Sequence, residues 1–421
     1  MKRLMQMGAL CAATCLVAPA AWGAGFQNSG QSATALGMGS MGTANPDEPN
    51  ASFYNPATMS FEEGFRIYLG DTLIIPTTTY QNDQGETTET VAQTFPPPNF
   101  HVAYATSFGL AFGLGLTLPY GLGVEWPNDW EGRSVIVSQD LQNFDFNPNV
   151  SYKLPNLDLS FAAGAQIVYS TVELNRQIIL RNDTEVAAQL GGDGLGFGAT
   201  AALMYKPIEE LSIGLNYRSG VVVDYEGSAH FEGEEGTPFE SSFVDQDIST
   251  QISLPHNLTL GVGYKFDKLF FGLDVGYTTW SDYDRVDLEF SRPCEQGSST
   301  CDPSTDQTDP PTTTIINNWN NAFAFRLGVQ YDILDNLQGR AGIVYDMTPI
   351  PDETVSPSLP GNDRTAFSLG LGYTFSKIRA DVAYQYVDAA QREIGGNNPN
   401  TPGLYKTTAH LVGLNIGYGY D

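Results

Sequence analysis

The chain has 421 residues, enough for one large domain or for several, and it carries a formal net charge of −28. A chain this acidic repels phosphate, so nucleic acid is excluded as a partner. After the first residues no segment holds eighteen continuous apolar residues, which excludes a helical membrane protein. A soluble exported protein and a membrane protein built from strands are left, and the pattern along the chain must separate them.

Residues 1–23 predict a secretory signal peptide. A lysine and an arginine follow the first methionine, residues 4–17 are mainly apolar, and Ala21-Trp22-Gly23 places small residues near a cleavage site. The apolar run is too short for a spanning helix. We therefore expect a mature chain that begins at Ala24 and has lost two positive charges, which takes the net charge to −30.

Two cysteines stay in the mature chain, Cys294 and Cys301, in a polar stretch that contains proline. In an exported protein this spacing favours a local disulfide, with a reduced pair as the alternative. No histidine lies near them in the sequence, and the four histidines of the chain are far apart. We therefore expect neither a metal site nor a cofactor.

Residues 24–64 form a stretch rich in glycine, serine and asparagine. The stretch shows neither the alternation of a strand nor the repeat of an amphipathic helix. Such a composition suits a compact segment whose conformation depends on its surroundings, or else a disordered N-terminus. The remainder of the chain decides between these two interpretations.

From Phe65 onward the sequence divides into short runs of alternating character, which predict β-strands. Fourteen strands are predicted, at Phe65–Thr79, Phe100–Thr106, Ala111–Leu118, Phe144–Leu154, Leu157–Leu174, Gly194–Tyr205, Leu211–Tyr225, Ile248–Phe266, Leu269–Trp280, Asn321–Tyr331, Leu337–Tyr345, Thr365–Phe375, Ile378–Asp388 and Thr407–Tyr420.

The two faces of these strands differ in an informative way. In the twelfth strand one face carries large apolar side chains, and the other carries small residues and glycines. A soluble sandwich would instead place bulky charged residues on its outer face. Large apolar residues toward lipid and small or polar ones toward a lumen are typical of an all-β transmembrane barrel. The apolar face of the twelfth strand consists of Phe367, Leu369, Leu371, Tyr373 and Phe375.

The connections alternate strictly between seven long and six short ones. Outer-membrane barrels have long extracellular loops and short periplasmic turns, and an even strand number leaves both termini in the periplasm. A barrel of fourteen strands is too wide for its own side chains to fill, so residues 24–64 are predicted to plug the lumen. Charged residues on the lumen face can bind such a plug; they are Arg218, Asp274, Arg326, Arg340, Arg379 and Asp381.

With these residues in view, nearly the whole mature chain resembles the FadL/TodX family of outer-membrane transporters for long-chain fatty acids and other hydrophobic compounds. Each motif is short, but their order and spacing together are specific. The matching motifs are Ala24-Gly25-Phe26-Gln27, Asn55-Pro56-Ala57, Pro119-Tyr120-Gly121-Leu122, Tyr217-Arg218-Ser219, Leu254-Pro255, Tyr277-Thr278-Thr279-Trp280-Ser281, and the loop from Asp346 to Arg364.

The resemblance implies a barrel over residues 65–421 and an N-terminal hatch over residues 24–64. Phe26 and Asn55-Pro56-Ala57 carry the hatch motifs. Substrate would be captured by extracellular loops, enter an apolar pocket, and leave sideways into the bilayer after a shift of the hatch. The exit would lie where the third strand kinks inward, at Pro119 and Gly121. For Gly121 an ordinary loop glycine just after the strand is the alternative.

Two substrate-binding positions are also implied by the resemblance. Arg176, after the fifth strand, matches a basic residue that meets the substrate carboxylate in the family, with a solvated loop arginine as the alternative. The family's second basic position falls on Asn317, and the loop at Asn175–Asp193 is short. Both departures leave a neutral hydrocarbon open as the substrate.

The leading hypothesis is therefore passive uptake of long-chain fatty acids or similar hydrophobic compounds, without an enzyme activity. The alternatives are a transporter of neutral hydrocarbons, an outer-membrane hydrolase, and a purely structural barrel or nonspecific porin. We expect the outer membrane of a Gram-negative bacterium as the location. Lipid, lipopolysaccharide and the barrel-assembly machinery are the expected partners, and a monomer the expected state.

Overall fold

The computed structural model describes residues 25–180, 184–233, 243–291, 312–395 and 401–420. The predicted signal peptide, residues 1–23, and the predicted pair Cys294 and Cys301 lie outside the described residues. In the described ranges no helix is long and apolar enough to cross a membrane.

The chain forms one antiparallel sheet of fourteen long strands that closes on itself, because β14 pairs with β1 over fifteen residues. This confirms the predicted fold. The strands are β1 Gly64–Gln81, β2 Pro98–Ala105, β3 Leu110–Glu125, β4 Ser138–Lys153, β5 Leu159–Ile179, β6 Glu185–Ile208, β7 Leu211–Arg218 with Val221–Glu232, β8 Gln246–Leu254 with Asn257–Phe266, β9 Leu269–Thr278, β10 Ala322–Leu334, β11 Leu337–Asp346, β12 Arg364–Phe375, β13 Ile378–Ala389 and β14 Gly403–Tyr418.

Four short strands extend the sheet above the long ones, at Thr87–Glu89, Arg285–Phe290, Thr312–Ile316 and Arg392–Ile394. They pair with β1, β8, each other and β14 at the end where the long connections lie. The opposite end carries tight turns such as Asp267–Lys268, and we assign it to the periplasm.

The side chains alternate across the wall as the sequence predicts. On β12 the large residues Phe367, Leu369 and Phe375 are each more than half exposed, whereas Ala366 and Ser368 are buried. The exposed set faces lipid, where an apolar surface costs nothing, and the buried set faces the lumen.

Several strands are longer at the extracellular end than predicted. β5 reaches Ile179 and β6 begins at Glu185, so most of the predicted loop Asn175–Asp193 is a paired hairpin. β3 reaches Glu125 and β4 begins at Ser138, which corrects the predicted loop Pro119–Asn143 in the same way. Above the membrane both strand faces meet water, so backbone pairing continues after the apolar alternation has stopped.

Two predicted strands are interrupted. β7 breaks at residues 219–220, and β8 breaks at residues 255–256, where Pro255 has no N–H to donate to the ladder. β9 ends at Thr278, before the predicted Trp280, which begins a short 3₁₀ turn.

Residues 25–63, here the N-terminal segment, are almost entirely buried and contact inward-facing residues of the wall. The segment holds α1 Ala33–Gly37, α2 Ala51–Tyr54 and a 3₁₀ helix at Pro56–Phe61. Ser32 caps α1 by accepting a hydrogen bond from the Ala35 N–H at 3.0 Å. These one-turn helices are too short to leave a periodic apolar pattern in the sequence.

Polar wall side chains bind this segment. The Asp274 carboxylate accepts hydrogen bonds from the N–H groups of Gly42 and Thr43 at 3.0 and 2.9 Å. Arg326 donates to the Ser29 hydroxyl at 3.0 Å, and Arg379 donates to Thr34 at 3.1 Å.

The other three predicted lumen charges make their hydrogen bonds within the wall instead; they are Arg218, Arg340 and Asp381. Arg340 and Arg379 both pair with Asp381, and Arg218 pairs with Asp145 on β4. Arg218 still meets the segment through its guanidinium, which lies 5.1 Å from the Phe53 ring centre. A buried charge is neutralised by an opposite charge nearby on the wall. The alternation of side chains along a strand predicts which residues face the lumen but not which of them pair.

Lumen glycines make room for the segment. A Cβ atom on Gly342 would lie 2.2 Å from the Gly39 nitrogen, and one on Gly214 would lie 2.0 Å from the Thr43 oxygen. The small inner face of the strands is therefore a packing surface for the N-terminal segment.

Candidate functional site: an apolar cavity beside a gap in the wall

A cavity of about 460 Å³ lies in the extracellular half of the lumen. Its lining is mainly apolar and combines strand residues with residues of the long loops. A volume of this size is typical of sites that enclose a small organic molecule. Apolar lining residues include Leu122, Val172, Leu174, Ile252, Val286, Leu288, Trp319 and Leu359.

Phe26 forms one wall of this cavity. Its ring lies within an aromatic cluster, 4.8 Å from the Trp280 ring centre, 5.2 Å from Tyr283 and 5.8 Å from Trp319. Gly25, with φ of +63°, leaves no space for a Cβ, which would lie 2.7 Å from both indoles. The start of the N-terminal segment thus packs against Trp280 and against two aromatic residues that line the cavity, Tyr283 and Trp319.

Arg176 lines the cavity from within β5, where the structure places it two residues beyond Leu174 on the same face. It is therefore a strand residue, which corrects the predicted position after the strand. Within the described ranges no carboxylate forms an ion pair with it, and its Nε is buried without a hydrogen-bond partner. Glu226 also lines the cavity, but it forms no ion pair with Arg176, so this half-buried guanidinium is free to pair with an anion.

Asn317 lines the same cavity, so the structure brings the two predicted substrate-binding positions together. Its backbone is fixed by the Asp284 carbonyl at 2.8 Å. Its Nδ2 is buried and makes no hydrogen bond of ordinary geometry with the described residues, and the Tyr283 hydroxyl is its polar neighbour. The cavity thus contains a neutral donor in addition to the cation.

The wall of the barrel is open beside this cavity. β2 and β3 pair only as far as Phe100 and Leu116, and contact resumes where the Val91 N–H donates to the Glu125 carbonyl at 2.8 Å. Between these points no backbone hydrogen bond joins residues 92–99 to residues 117–124, both of which are fully described. We call this opening the wall gap. Leu122 lines both the gap and the cavity.

The N-terminal segment takes the place of the missing strand next to β3. The Gly121 N–H donates to the Phe26 carbonyl at 3.0 Å, and the Asn28 N–H donates to the Pro119 carbonyl at 2.8 Å. The predicted kink residues Pro119 and Gly121 therefore lie inside β3 and not just after the end of the strand. The pairing of β3 with β4 shifts by one residue between Thr117 and Tyr120, so an irregularity is present at this point.

Gln31 satisfies the backbone of the extra residue in this irregularity. The Leu118 N–H donates to Gln31 Oε1 at 3.1 Å, and Gln31 Nε2 donates to the Leu118 carbonyl at 2.8 Å. The side-chain amide acts as a substitute peptide group, as buried backbone groups require partners. Sequence reasoning missed Gln31, because nothing in its local pattern shows that a strand 87 residues away needs it.

Three consecutive prolines on the other side of the gap were also missed. Strand residues alternate in the direction of their backbone groups, and Phe95 and Pro97 bond toward β1. Pro96 and Pro98 therefore face the gap, and neither has an N–H to donate. The triplet Pro96-Pro97-Pro98 is a visible signal, because proline is confined to strand edges.

Asn55-Pro56-Ala57 fixes the N-terminal segment to itself and to the wall. Asn55 Oδ1 caps the 3₁₀ helix by accepting from the Ala57 N–H at 3.0 Å, and Pro56 occupies the first helical position. Asn55 Nδ2 donates to the Thr43 carbonyl at 2.8 Å and to the Leu203 carbonyl on β6 at 3.0 Å. One side chain therefore joins three backbone elements.

A closed strand barrel with a filled lumen, an apolar cavity and a gap in its wall defines an outer-membrane transport protein. The chain belongs to the family described as "Outer membrane protein transport protein (OMPP1/FadL/TodX)", whose model matches residues 14–420.

Known proteins resemble the chain over most of its length. A long-chain fatty acid transport protein of Escherichia coli O6:H1 is 26% identical over 464 residues, covering 100% of this chain and 99% of that protein. The crystal structure of a Pseudomonas aeruginosa FadL homologue matches with a TM-score of 0.83 at 19% identity, over 94% of this chain and 100% of that one. The Ralstonia pickettii toluene transporter TbuX matches with a TM-score of 0.70 at 17% identity, over 93% and 98%.

Proposed function

We propose that this barrel takes up long-chain fatty acids, or similar amphiphiles with an anionic head, by passive diffusion across the outer membrane. The observation that carries the proposal is Arg176, a cation without a carboxylate partner in the described ranges, in the wall of an apolar cavity. A carboxylate would neutralise the guanidinium while the hydrocarbon chain covers the apolar lining. The fatty acid transport protein of Escherichia coli among the relatives supports this substrate class.

The path runs from the extracellular loops into the cavity and then through the wall gap into the bilayer. Phe26 lines the cavity and its carbonyl bonds Gly121 in the gap, so the N-terminal segment would act as a hatch whose release from β3 opens the way. An amphiphile gains free energy by entering lipid directly, and a watery pore would offer no such gain. Diffusion down a gradient drives the step, and no chemical reaction is part of it.

A neutral hydrocarbon is the second candidate substrate. Asn317 supplies a neutral donor at the position where the family has a second basic residue, and a toluene transporter shares the fold. An uncharged ring would fill the apolar part of the cavity without contacting Arg176 at all.

The experiment measures uptake of radiolabelled oleate and of toluene by cells that make the wild type, Arg176→Met, or the control Arg285→Met. Arg285 is a largely exposed arginine outside the cavity. We expect Arg176→Met to weaken oleate uptake about tenfold at limiting substrate and to leave toluene unchanged. Toluene uptake without oleate uptake in the wild type would assign the second substrate. Uptake of neither, compared with cells that lack the barrel, would refute the transport proposal.

The same proposal covers the surroundings of the barrel. Lipid and lipopolysaccharide would cover its apolar outer face, the barrel-assembly machinery would insert it, and it would act as a monomer. A disulfide between Cys294 and Cys301 would shorten an extracellular loop.

A further inference from the structure

Asp71 is a carboxyl group on the lipid-facing side of β1. Outward positions alternate along this strand, and Leu69 and Ile75 on the same face are 44% and 39% exposed, whereas the flanking Tyr68 and Thr72 are fully buried. The residues that pair with Asp71 across the sheet are apolar on both sides, Leu414 on β14 and Pro98 on β2. An ionisable side chain at such a position is costly and calls for a function.

The described residues satisfy the carboxyl group of Asp71 only in part. Its Oδ1 is buried and has no hydrogen-bond partner among the residues that the structure describes. The backbone amide of Thr72 is its polar neighbour, and that amide also faces the Pro97 carbonyl at 3.4 Å. The half-buried side chain of Asp71 therefore holds one acceptor atom that lacks a donor.

Asp71 also lies directly beside the wall gap. Pro98 is its partner in register and forms part of the edge of the gap, so about one interstrand spacing, roughly 4.8 Å, separates the two. A molecule that passes outward between residues 92–99 and 117–124 meets this part of the outer face first.

We propose that Asp71 is an exit subsite, which accepts a hydrogen bond from the head group of an amphiphile as it leaves the wall gap. This inference depends on the proposed lateral exit. The head group must carry a hydrogen-bond donor, as an alcohol or a protonated carboxyl does, because a charged carboxylate is too costly in hydrocarbon and would be repelled by Asp71. Between the cavity and the lipid headgroups the head group of the substrate otherwise has no hydrogen-bond partner. The subsite would provide one partner along this part of the path.

The test compares two probes of equal chain length, oleyl alcohol and octadecene, which differ in their head group. Uptake of each is measured in cells that make the wild type, Asp71→Leu, Asp71→Asn or the control Thr77→Leu, a change on the same outer face of β1. Binding of oleyl alcohol to each purified barrel is followed by the fluorescence of the indoles around Phe26.

We expect Asp71→Leu to slow oleyl alcohol uptake at least fivefold while octadecene uptake and cavity affinity stay within twofold. Asp71→Asn keeps an acceptor oxygen and should recover most of the rate. Equal losses for both probes would mean a general defect of the wall, and unchanged uptake of both would mean a carboxyl without a role; either result overturns the exit subsite. A wild type that moves oleate but neither probe refutes the exit subsite alone, whereas a wild type that moves none of the three refutes the proposed function and the exit subsite with it.

Discussion

The Gly121 N–H on β3 donates to the carbonyl of Phe26 in the N-terminal segment, 3.0 Å away. This hydrogen bond links three features, because Phe26 also lines the cavity and Gly121 lies in the wall gap. In the proposed exit path, movement of the N-terminal segment would therefore break this hydrogen bond and uncover the wall gap. The predictions below test what holds the segment in place.

Gln31→Ala should loosen β3 at its irregularity. The change removes two hydrogen bonds with the Leu118 backbone, each worth about 1 kcal/mol. Amide deuterium exchange of a peptide that contains Leu118 should become at least fivefold faster. Gln31→Glu would turn a buried carboxylate oxygen toward the Leu118 carbonyl and should therefore also speed the exchange, whereas Gln84→Ala, at an exposed loop position, should have no effect. Unchanged exchange in Gln31→Ala would show that the side chain does not hold the strand.

Asn55→Ala should destabilise the N-terminal segment by about 2–4 kcal/mol, because it removes a helix cap and leaves the Thr43 and Leu203 carbonyls without that donor. Protease cleavage within residues 25–63 reports this, since an opened segment is cut and the barrel wall resists. Asn55→Asp keeps the cap oxygen but turns a buried carboxylate oxygen toward the Thr43 and Leu203 carbonyls, so it should also lower the resistance. Equal resistance in all three proteins would contradict the assigned role.

Gly342→Ala should displace the N-terminal segment without unfolding the barrel. Its Cβ would lie 2.2 Å from the Gly39 nitrogen, which is backbone and cannot rotate away. The altered mobility of a folded barrel on an unheated gel should persist, while ion conductance in planar bilayers should rise. Gly339→Ala, on the same strand, meets only the end of the Ile333 side chain at 3.1 Å and serves as the control. A closed barrel in Gly342→Ala would argue against tight packing here.

Glu48 should make the stability of the N-terminal segment depend on pH. Burial raises the pKa of Glu48 to about 7, against the lowering effect of its hydrogen bonds with Ser32 and Asn50 and of the charges on Arg379 and Arg340. The folded segment then keeps a proton that the unfolded segment releases, so stability is complete below about pH 4.5 and falls as the pH rises toward 7. The full loss is about 3 kcal/mol.

The measurement is the protease resistance of the N-terminal segment at pH 5 and pH 8. Glu48 lines a polar cavity of about 680 Å³ at the periplasmic end, which gives protons access to it. Wild type should be more resistant at pH 5, and Glu48→Gln should be nearly independent of pH. The same pH dependence in Glu48→Gln would assign the effect to another group.

The barrel was predictable because lipid on one side and a lumen on the other impose a period of two on every strand. Phe367 and Leu369 carry that period, and they are exposed as predicted. The extracellular ends were not predictable, because water on both faces removes the contrast; Arg176 was therefore expected in a loop and lies in β5.

The site was predictable only where a short motif or the resemblance marked a residue. Arg176 and Asn317 line one cavity, but nothing local indicates that β5 and the connection before β10 approach it together. Gln31 and Asp71 depend on contacts between distant parts of the chain, and such contacts leave no periodic signal. Gln31 was found because the Leu118 backbone needs partners, and Asp71 because its own carboxyl lacks one. Both needs become visible only in the folded chain.

A closed sheet has no free edge. A barrel with a gap in its wall has free strand edges again, and free edges can pair with strands of other proteins. Exposed N–H groups along the gap would offer a template to any passing strand, in the membrane or during assembly. Pro96 and Pro98 take the donors away from one side, and residues 26–28 occupy the other. The wall gap therefore offers few free donors to a neighbouring strand in the membrane, and the contact of residues 26–28 with β3 protects the edge of the sheet in addition to covering the gap.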